Sequence, residues 1–503
     1  MLGKTYTYSR LGMYCNIVEV EVDIKKGLPS IMVTGLLSQE VKESKERVRP
    51  AILNSGLDFP LKRMTINLAP AETIKMGSHY DLSIAVAVLK ALGAIDEKDK
   101  RIAYFGELNL SGEIKWIRGI LPMVLEAINS GFEKIYIPEE NYYEVSYLKK
   151  DNIIPVSSIS DLIDKLNSDT HINFLEYKVK EDNIKYDDYE DIMGQQEMVD
   201  GFTICAAGNH NMLLIGPPGA GKTMGASRLP SIMPDLMEEE ILEINKIYSI
   251  ASFSQNEQWI TKRPFRTPHN SASSRAVIGG GIKVLPGEIS LAHKGILFLD
   301  EFLEFRSDSL QALRTVIEKK EVYISLRNGC AVYPADFLLV AASNPCHCGF
   351  YETEGGICSC SMAEIKKYRR KLKNPLTDRI DLQVKVERIN FKSLTQGQKN
   401  QSSKEIKKKV LIARNIQKER YKNEKFSVNS QIPPEKVSTY CRLESGGAKI
   451  LEKFMEDNLL TARACHKILR IARTNADLAE SDLIRISDLE KALKYRFLDL
   501  EAL

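Results

Sequence analysis

The stretch Asn211 to Thr223, NMLLIGPPGAGKT, constrains this chain more than any other. Four apolar residues, Met212 to Ile215, run directly into a glycine-rich loop with the spacing G-x-x-x-x-G-K-T. A buried strand, a loop whose glycines turn backbone N–H groups inward, and a helix N-terminus with its positive partial charge together make a cradle for phosphates. The spacing places Gly216, Pro217, Pro218, Gly219, Ala220, Gly221, Lys222, Thr223 and Met224 in that cradle. Lys222 is expected to reach the β- and γ-phosphates of a nucleoside triphosphate, and the Thr223 hydroxyl to ligate Mg²⁺.

Two more apolar strands extend the pattern. GILFLDEF (295–302) ends in Asp300, expected to share the Mg²⁺ with Thr223, and Glu301, expected to polarise an attacking water. Adjacent carboxylates at a strand end also suit a helix cap, but a phosphate loop upstream favours the catalytic reading. FLLVAASN (337–344) delivers Asn344, whose amide is expected to position the same water. Three strands, each presenting a polar residue at its carboxyl end, follow the way doubly wound α/β sheets build sites.

At 503 residues the chain has length for two to four domains, and 43% hydrophobic with 27% charged residues is the composition of a globular protein. No apolar run approaches the ~20 residues a membrane-spanning helix needs. MLGKTYTYSR lacks the apolar core of a signal peptide. These features predict a cytoplasmic protein with no membrane partner and no disulfides. The net charge of +3 conceals an asymmetry, since residues 361–425 carry 20 Lys and Arg against 7 Asp and Glu. Such a segment suggests a polyanionic partner; a solvated, lysine-rich helix face has the same composition.

Composition shifts divide the chain into residues 1–165, a polar linker at 166–188, a nucleotide-binding core at 189–390 and a helical region at 391–503. In the first unit VEVEVDI, MTINLA and IYIP read as strands, and SIAVAVLKALG and MVLEAINSG as helices. Residues 264–294, with Gly279–Gly280–Gly281, read as a loop inserted before the Asp300 strand. Residues 321–337 read as a hairpin around Arg327-Asn328-Gly329. Cys346, Cys348, Cys358 and Cys360 fall within fifteen residues. Two close pairs around a glycine-rich loop suit a tetrahedral thiolate cage for structural Zn²⁺. Their C-x-C spacing is tighter than C-x-x-C, so a group of free thiols is the other reading.

Several strings carry a resemblance: VKESKERVRPAILNSG (41–56), NLAPAETIKMGSHYDL (67–82), DIMGQQEM (191–198), RPFRTPHNSAS (263–273), PGEISLAHKGILFLDEF (286–302) and ARTNADL (472–478). Over nearly its whole length the chain resembles AAA+ ATPases of the magnesium-chelatase-like ComM/YifB family. The resemblance implies an α/β AAA+ P-loop core with a parallel sheet. An α+β Lon-protease-like (S5-type) domain would precede it and an all-helical lid follow it. It implies that backbone near Ile192 and Gly194 contacts adenine, that Arg379 in PLTDRID is an arginine finger acting on a neighbouring subunit, and that Arg463 senses the γ-phosphate in cis. Surface ion pairs are the plain alternative for both arginines. In related ring helicases such inserts and hairpins point into a central pore, which makes Lys283 and Arg327 candidate contacts to DNA phosphates; both also suit solvated turns.

The implied activity uses ATP and Mg²⁺ in a homo-oligomeric ring, a hexamer, acting as a helicase or branch-migration motor on single-stranded or branched DNA, as in natural transformation. The alternative is a magnesium-chelatase-like ATPase remodelling a protein partner. A third reading, an ATP-dependent protease, fails on residues. Laid on the Lon pattern, His79 stands where the nucleophilic serine belongs and Leu121 where the lysine belongs, and nearby Ser78 and Lys75 make no dyad.

Overall fold

The computed structural model describes residues 2–95, 101–167, 186–251, 259–326, 329–353, 356–372, 375–388, 399–458 and 460–500. The N-terminal unit is built on a seven-stranded mixed sheet. Strand Tyr14–Lys25 pairs antiparallel with Leu2–Leu11 on one side and Arg63–Ala69 on the other. The V-E-V-E-V-D-I alternation turns Val18, Val20, Val22 and Ile24 inward and leaves the acidic residues less buried. Helix Asp81–Leu92 covers this face and is buried almost all round, which accounts for its continuous apolar sequence. Strand and helix approach so closely that a Cβ at Gly3 would lie 2.0 Å from the Ala87 carbonyl oxygen.

The core sheet has five parallel strands in the order Phe265–Arg266, Ile296–Leu299, Leu338–Ser343, Met212–Ile215 and Leu382–Lys385. Three of these strands are wholly buried, as expected of a parallel sheet covered on both faces. The stretch 264–294 departs from the sequence expectation of a simple loop. It contributes the edge strand Phe265–Arg266, helix Ser274–Ile278, a two-residue ladder joining Gly279–Gly280 to Leu285–Pro286, and helix Glu288–Leu291. These pieces are too short for periodicity to reveal. The hairpin at 321–337 is present as Glu321–Leu326 paired antiparallel with Gly329–Pro334.

The C-terminal region is helical among its described residues, from Ser403–Arg420 to Phe497–Leu500. A capping box between Ser402 and Glu405 opens its first helix. That helix docks on helix Gln196–Gly208, where Arg414 donates twice to the Ala206 carbonyl, at 2.8 and 3.0 Å. The ARTNADL string proves to be structural. Buried Asp477 accepts from Arg420, Arg473 and Asn429, while Thr474 meets His210, whose other ring nitrogen lies 3.2 Å from Asp381.

The N-terminal unit is bonded to the core through helix Glu238–Ala251. Ser249 accepts from Gly119 N at its carbonyl and from Leu121 N at its hydroxyl, and that hydroxyl donates to Glu144 Oε2 at 2.5 Å. Trp259 Nε1 donates to the Tyr143 carbonyl at 2.9 Å, and its ring stacks on Tyr147. Glu144 also accepts from Trp116 Nε1 and Asn141 Nδ2. Burial raises the Glu144 carboxyl to about 7, against the hydrogen bonds that favour its charged form. A carboxyl raised on folding contributes stability below its unfolded pKa and loses that contribution as pH rises through the folded value. Urea unfolding of the wild type is therefore expected to lose on the order of 3 kcal/mol from this group between pH 4.5 and 7. In Glu144→Gln that component of the pH dependence should be absent.

Candidate active site

The strand–loop–helix order expected from NMLLIGPPGAGKT is present: strand Met212–Ile215, then the loop, then helix Lys222–Ile232. Gly219 and Gly221 have φ of +73° and +87°, a region that favours glycine. Gly216 lies against the neighbouring strand, where a Cβ would come within 2.2 Å of the Val386 carbonyl oxygen. Lys222 Nζ donates to the Gly216 and Pro217 carbonyls, at 2.5 and 2.9 Å, and to Asn344 Oδ1 at 3.2 Å. Burial lowers the Lys222 pKa, opposed by the carboxylates of Asp300 and Glu301. Thr223 Oγ1 donates to Asp300 Oδ2 at 2.8 Å. Lys222, Thr223, Asp300, Glu301 and Asn344, from three separate strand ends, thus share one place at the carboxyl edge of the sheet.

The segment DIMGQQ docks beside them. The Ile192 carbonyl accepts from Asn400, Gly194 has φ +66°, and Gln195 Nε2 spans from the Ala220 carbonyl at 3.2 Å to the Glu387 carbonyl at 2.7 Å. Pro218 and Ala220 lie within the loop, and Met224 points outward from the helix that follows, half exposed.

Three residues in this arrangement escaped the sequence reading. Gln195 is one. Asn270, inside RPFRTPHNSAS, donates to Glu301 Oε2 at 3.0 Å and holds that carboxylate where the backbone turns through φ +48°. Gly349, between the cysteines, sits against the phosphate loop: a Cβ there would lie 2.6 Å from Pro218 Cδ, at φ +87°. Two of the three fall in strings already singled out, yet only the tertiary contact assigns their task.

The four thiols converge. Sγ of Cys346, Cys348, Cys358 and Cys360 lie within 4.8 Å of one another. Three of the separations are 3.4, 3.5 and 3.8 Å, close to the ~3.8 Å edge of a tetrahedral cage with metal–sulfur bonds of about 2.3 Å. Backbone N–H groups, that of Phe350 foremost, lower the Cys348 thiol to about 5. The donor set fits a metal ion.

Arg379 and Arg463 lie elsewhere. Asn211, just ahead of the phosphate-loop strand, donates from its side chain to the Arg379 carbonyl at 3.4 Å. That contact fixes Arg379 at the amino edge of the sheet. Arg463 joins it in lining a cavity of about 330 Å³ with Lys467 and Arg470. The phosphate loop is a strand length away, roughly 13 Å for four residues. Arg463 thus shares the face of Arg379, not that of Lys222. Arg379 pairs with Glu318 and donates to the Pro375 carbonyl at 2.6 Å, while its Nε and that of Arg470 are buried without a partner among the described residues.

The remaining candidates separate. Arg327 lies outside the described residues. Lys283 faces the N-terminal unit, lining a cavity with Arg10, Ser78 and Arg118. The basic segment 361–425 is no single patch. Lys399, Lys407 and Arg420 are paired with Glu190, Asp235 and Asp477, and Arg414 is spent on Ala206. In the Lon-like unit His79 is buried, its Nε2 2.8 Å from the Tyr8 carbonyl oxygen, and burial lowers its pKa to about 4. Ser78 bonds Glu107 and Lys75 bonds the Pro70 carbonyl, so serine and lysine are committed apart. Leu121 is in the apolar core.

Comparison with known proteins decides the kinship. Family models match consecutive parts of the chain: subunit ChlI of Mg-chelatase over 20–141, magnesium chelatase subunit ChlI over 188–394, and the ChlI C-terminal region over 400–496. The YifB protein of Escherichia coli K12 is 38% identical over 99% of this chain and 97% of its own length. The competence protein ComM of Haemophilus influenzae is 37% identical over 98% and 97%. The chain belongs to the ComM/YifB family. A Lon protease of aster yellows witches'-broom phytoplasma is 30% identical over 176 residues, 33% of this chain. This ComM/YifB protein is thus a magnesium-chelatase-like AAA+ protein with a Lon-like N-terminal region. Among its described residues no helix is long and apolar enough to cross a membrane.

Because the cysteine loop rests on the phosphate loop through Gly349, Gly349→Ala is expected to weaken nucleotide binding roughly tenfold, the effect of a displaced contact of about 1.4 kcal/mol. Removal of a metal ion held by the cysteine cluster would act in the same direction. Titration with a fluorescent ATP analogue checks both.

Proposed function

We propose that this protein is an ATPase that works as a homo-oligomeric ring, a hexamer, and couples ATP hydrolysis to strand displacement or branch migration of DNA. The observation that carries the ATPase reading is the convergence of Lys222, Thr223, Asp300, Glu301 and Asn344 at one sheet edge. Lys222 and the loop N–H groups would hold the β- and γ-phosphates, Thr223 and Asp300 the Mg²⁺, and Glu301 with Asn344 the attacking water. Mg²⁺ would neutralise the charge that develops on the phosphates. Gln195, with Ile192 and Gly194, would form the nucleotide's outer wall. A structural zinc ion in the Cys346–Cys348–Cys358–Cys360 cage would stiffen the loop bearing Gly349.

The opposite edge supports the ring. Arg379 and Arg463 lie at the edge opposite their own phosphate loop, at a cavity also lined by Lys320, Lys467 and Arg470 and by the carboxylates of Glu318, Asp336, Asp378 and Asp381. A triphosphate presented there by a neighbouring subunit would meet both arginines, so each would act in trans. DNA as the partner is supported by the name of the ComM relative, a competence protein, and by the pairing of an insert and a hairpin beside the core. The family models, all drawn from a magnesium chelatase subunit, favour as a second reading the remodelling of a protein partner.

Steady-state ATP turnover with and without single-stranded and branched DNA tests the first reading. Stimulation that disappears in Glu301→Gln and fades with salt is expected; turnover indifferent to DNA at low salt would move the case to the protein partner. Mixing experiments test the ring. Arg379→Ala and Arg463→Ala chains, inactive alone, should each regain turnover when mixed with Lys222→Ala chains, because one subunit type keeps an intact phosphate loop and the other supplies the arginine. Complementation by Arg379→Ala only would return Arg463 to a cis role.

A further inference from the structure

In the Lon-like unit, Ser78 and His79 border a cavity of about 270 Å³, closed on the other side by the core insert through Lys283 and Val284. Three cations converge there from three segments: Arg10 at the first strand turn, Arg118 in the stretch docked on the core, and Lys283 on the insert. None forms an ion pair among the described residues. Arg10 Nη1 donates to the Gly12 carbonyl at 3.2 Å and Arg118 Nη1 to the Ala251 carbonyl at 3.4 Å, both neutral acceptors. The two carboxylates in the lining accept from serine hydroxyls, Glu107 from Ser78 and Glu40 from Ser38 at 2.7 Å, and neither is paired with these cations. Burial and the neighbouring charge of Arg10 both lower the pKa of Arg118, so gathering these cations costs free energy in the protein alone.

We propose that this cavity binds a small phosphorylated ligand, up to a nucleoside monophosphate in size, bridging the Lon-like unit to the core insert. Donors arriving from three directions suit a tetrahedral phosphoryl group better than a planar carboxylate, which one guanidinium fork satisfies. The volume, just under the roughly 300–1,000 Å³ of most ligand pockets, excludes a polymer. An occupant touching Lys283 and Arg118 together would join the insert to the segment bonded to Ser249, and so would sense the relative seating of the two units.

Calorimetric titration of the full chain, its phosphate loop first filled with Mg²⁺ and a non-hydrolysable ATP analogue, tests this with inorganic pyrophosphate and AMP as probes. One site per chain is expected, weakened roughly tenfold or more in Arg118→Gln and in Lys283→Gln, the loss of one charge-assisted hydrogen bond. Binding of AMP alone would point to a nucleotide, and binding of both probes to the phosphate group itself. Lys283 is exposed, so its variant reports on binding even if Arg118→Gln unfolds. Equal affinity in Lys283→Gln, loss of all binding once the ATP analogue is present, or binding of a DNA oligonucleotide but of neither probe would overturn the proposal.

Discussion

The parallel pairing of strand Met212–Ile215 between Leu338–Ser343 and Leu382–Lys385 is the constraint on which the rest depends. Its register places Ile215 opposite Ser343 and Lys385, and Met212 opposite Leu382. One end of this three-strand block therefore carries the phosphate loop and Asn344. The other carries Asn211 and Arg379. A slip of register would separate Lys222 from Asn344 and break the contact of Gly216 with Val386. Met212–Ile215 and Leu338–Ser343 are buried along their whole length, so burial of both faces alone does not pin the register. The end contacts do so instead: the Asn211 carbonyl accepts from the N–H groups of Asp381 and Leu382, and its side chain accepts from Leu339 N.

From this block the site's polarity follows. Arg379, Arg463, Lys467 and Arg470 stand together at the amino edge, Arg379 paired with Glu318, on the face opposite Lys222. Helix Ala462–Leu478 reinforces the arrangement, since Lys467 donates to the Asp378 and Ile380 carbonyls and is lowered by burial to about 8. Lys467 thereby ties this helix to the arginine face, while Glu490, Lys491 and Lys494 of the same helical region line a cavity with Gly216 and Pro217 of the phosphate loop. The cysteine loop acts at the opposite edge. A group that holds Cys346 also holds Gly349, and Gly349 meets Pro218.

Much of this was legible from residue order. Apolar runs such as MLLI and ILFL announce buried parallel strands because their length and flanking residues leave few alternatives. VEVEVDI announces a strand with one buried face through its period of two. The cysteine spacing anticipated that four sulfurs would meet, and His79 and Leu121 already excluded a Lon-type dyad. Other features were hidden. Phe265–Arg266 is too short for periodicity, and it is a strand only because Ile296–Leu299 lies beside it. The basic run 361–425 suggested one surface, whereas folding sends its charges to Glu190, Asp235 and Asp477 on different elements.

By itself, then, the sequence determined the phosphate loop, the strands that end in Asp300, Glu301 and Asn344, and membership of the chemistry that such ends support. These are local properties, set by spacing within a strand and the loop that follows it. Only the tertiary structure decided which edge of the sheet Arg463 occupies, that Asn270 restrains Glu301, that Gly349 braces Pro218, and that Lys283 turns toward the Lon-like unit. Each of these contacts joins residues distant in the chain, and the distances are set by strand order and helix docking, which no local pattern of residues encodes.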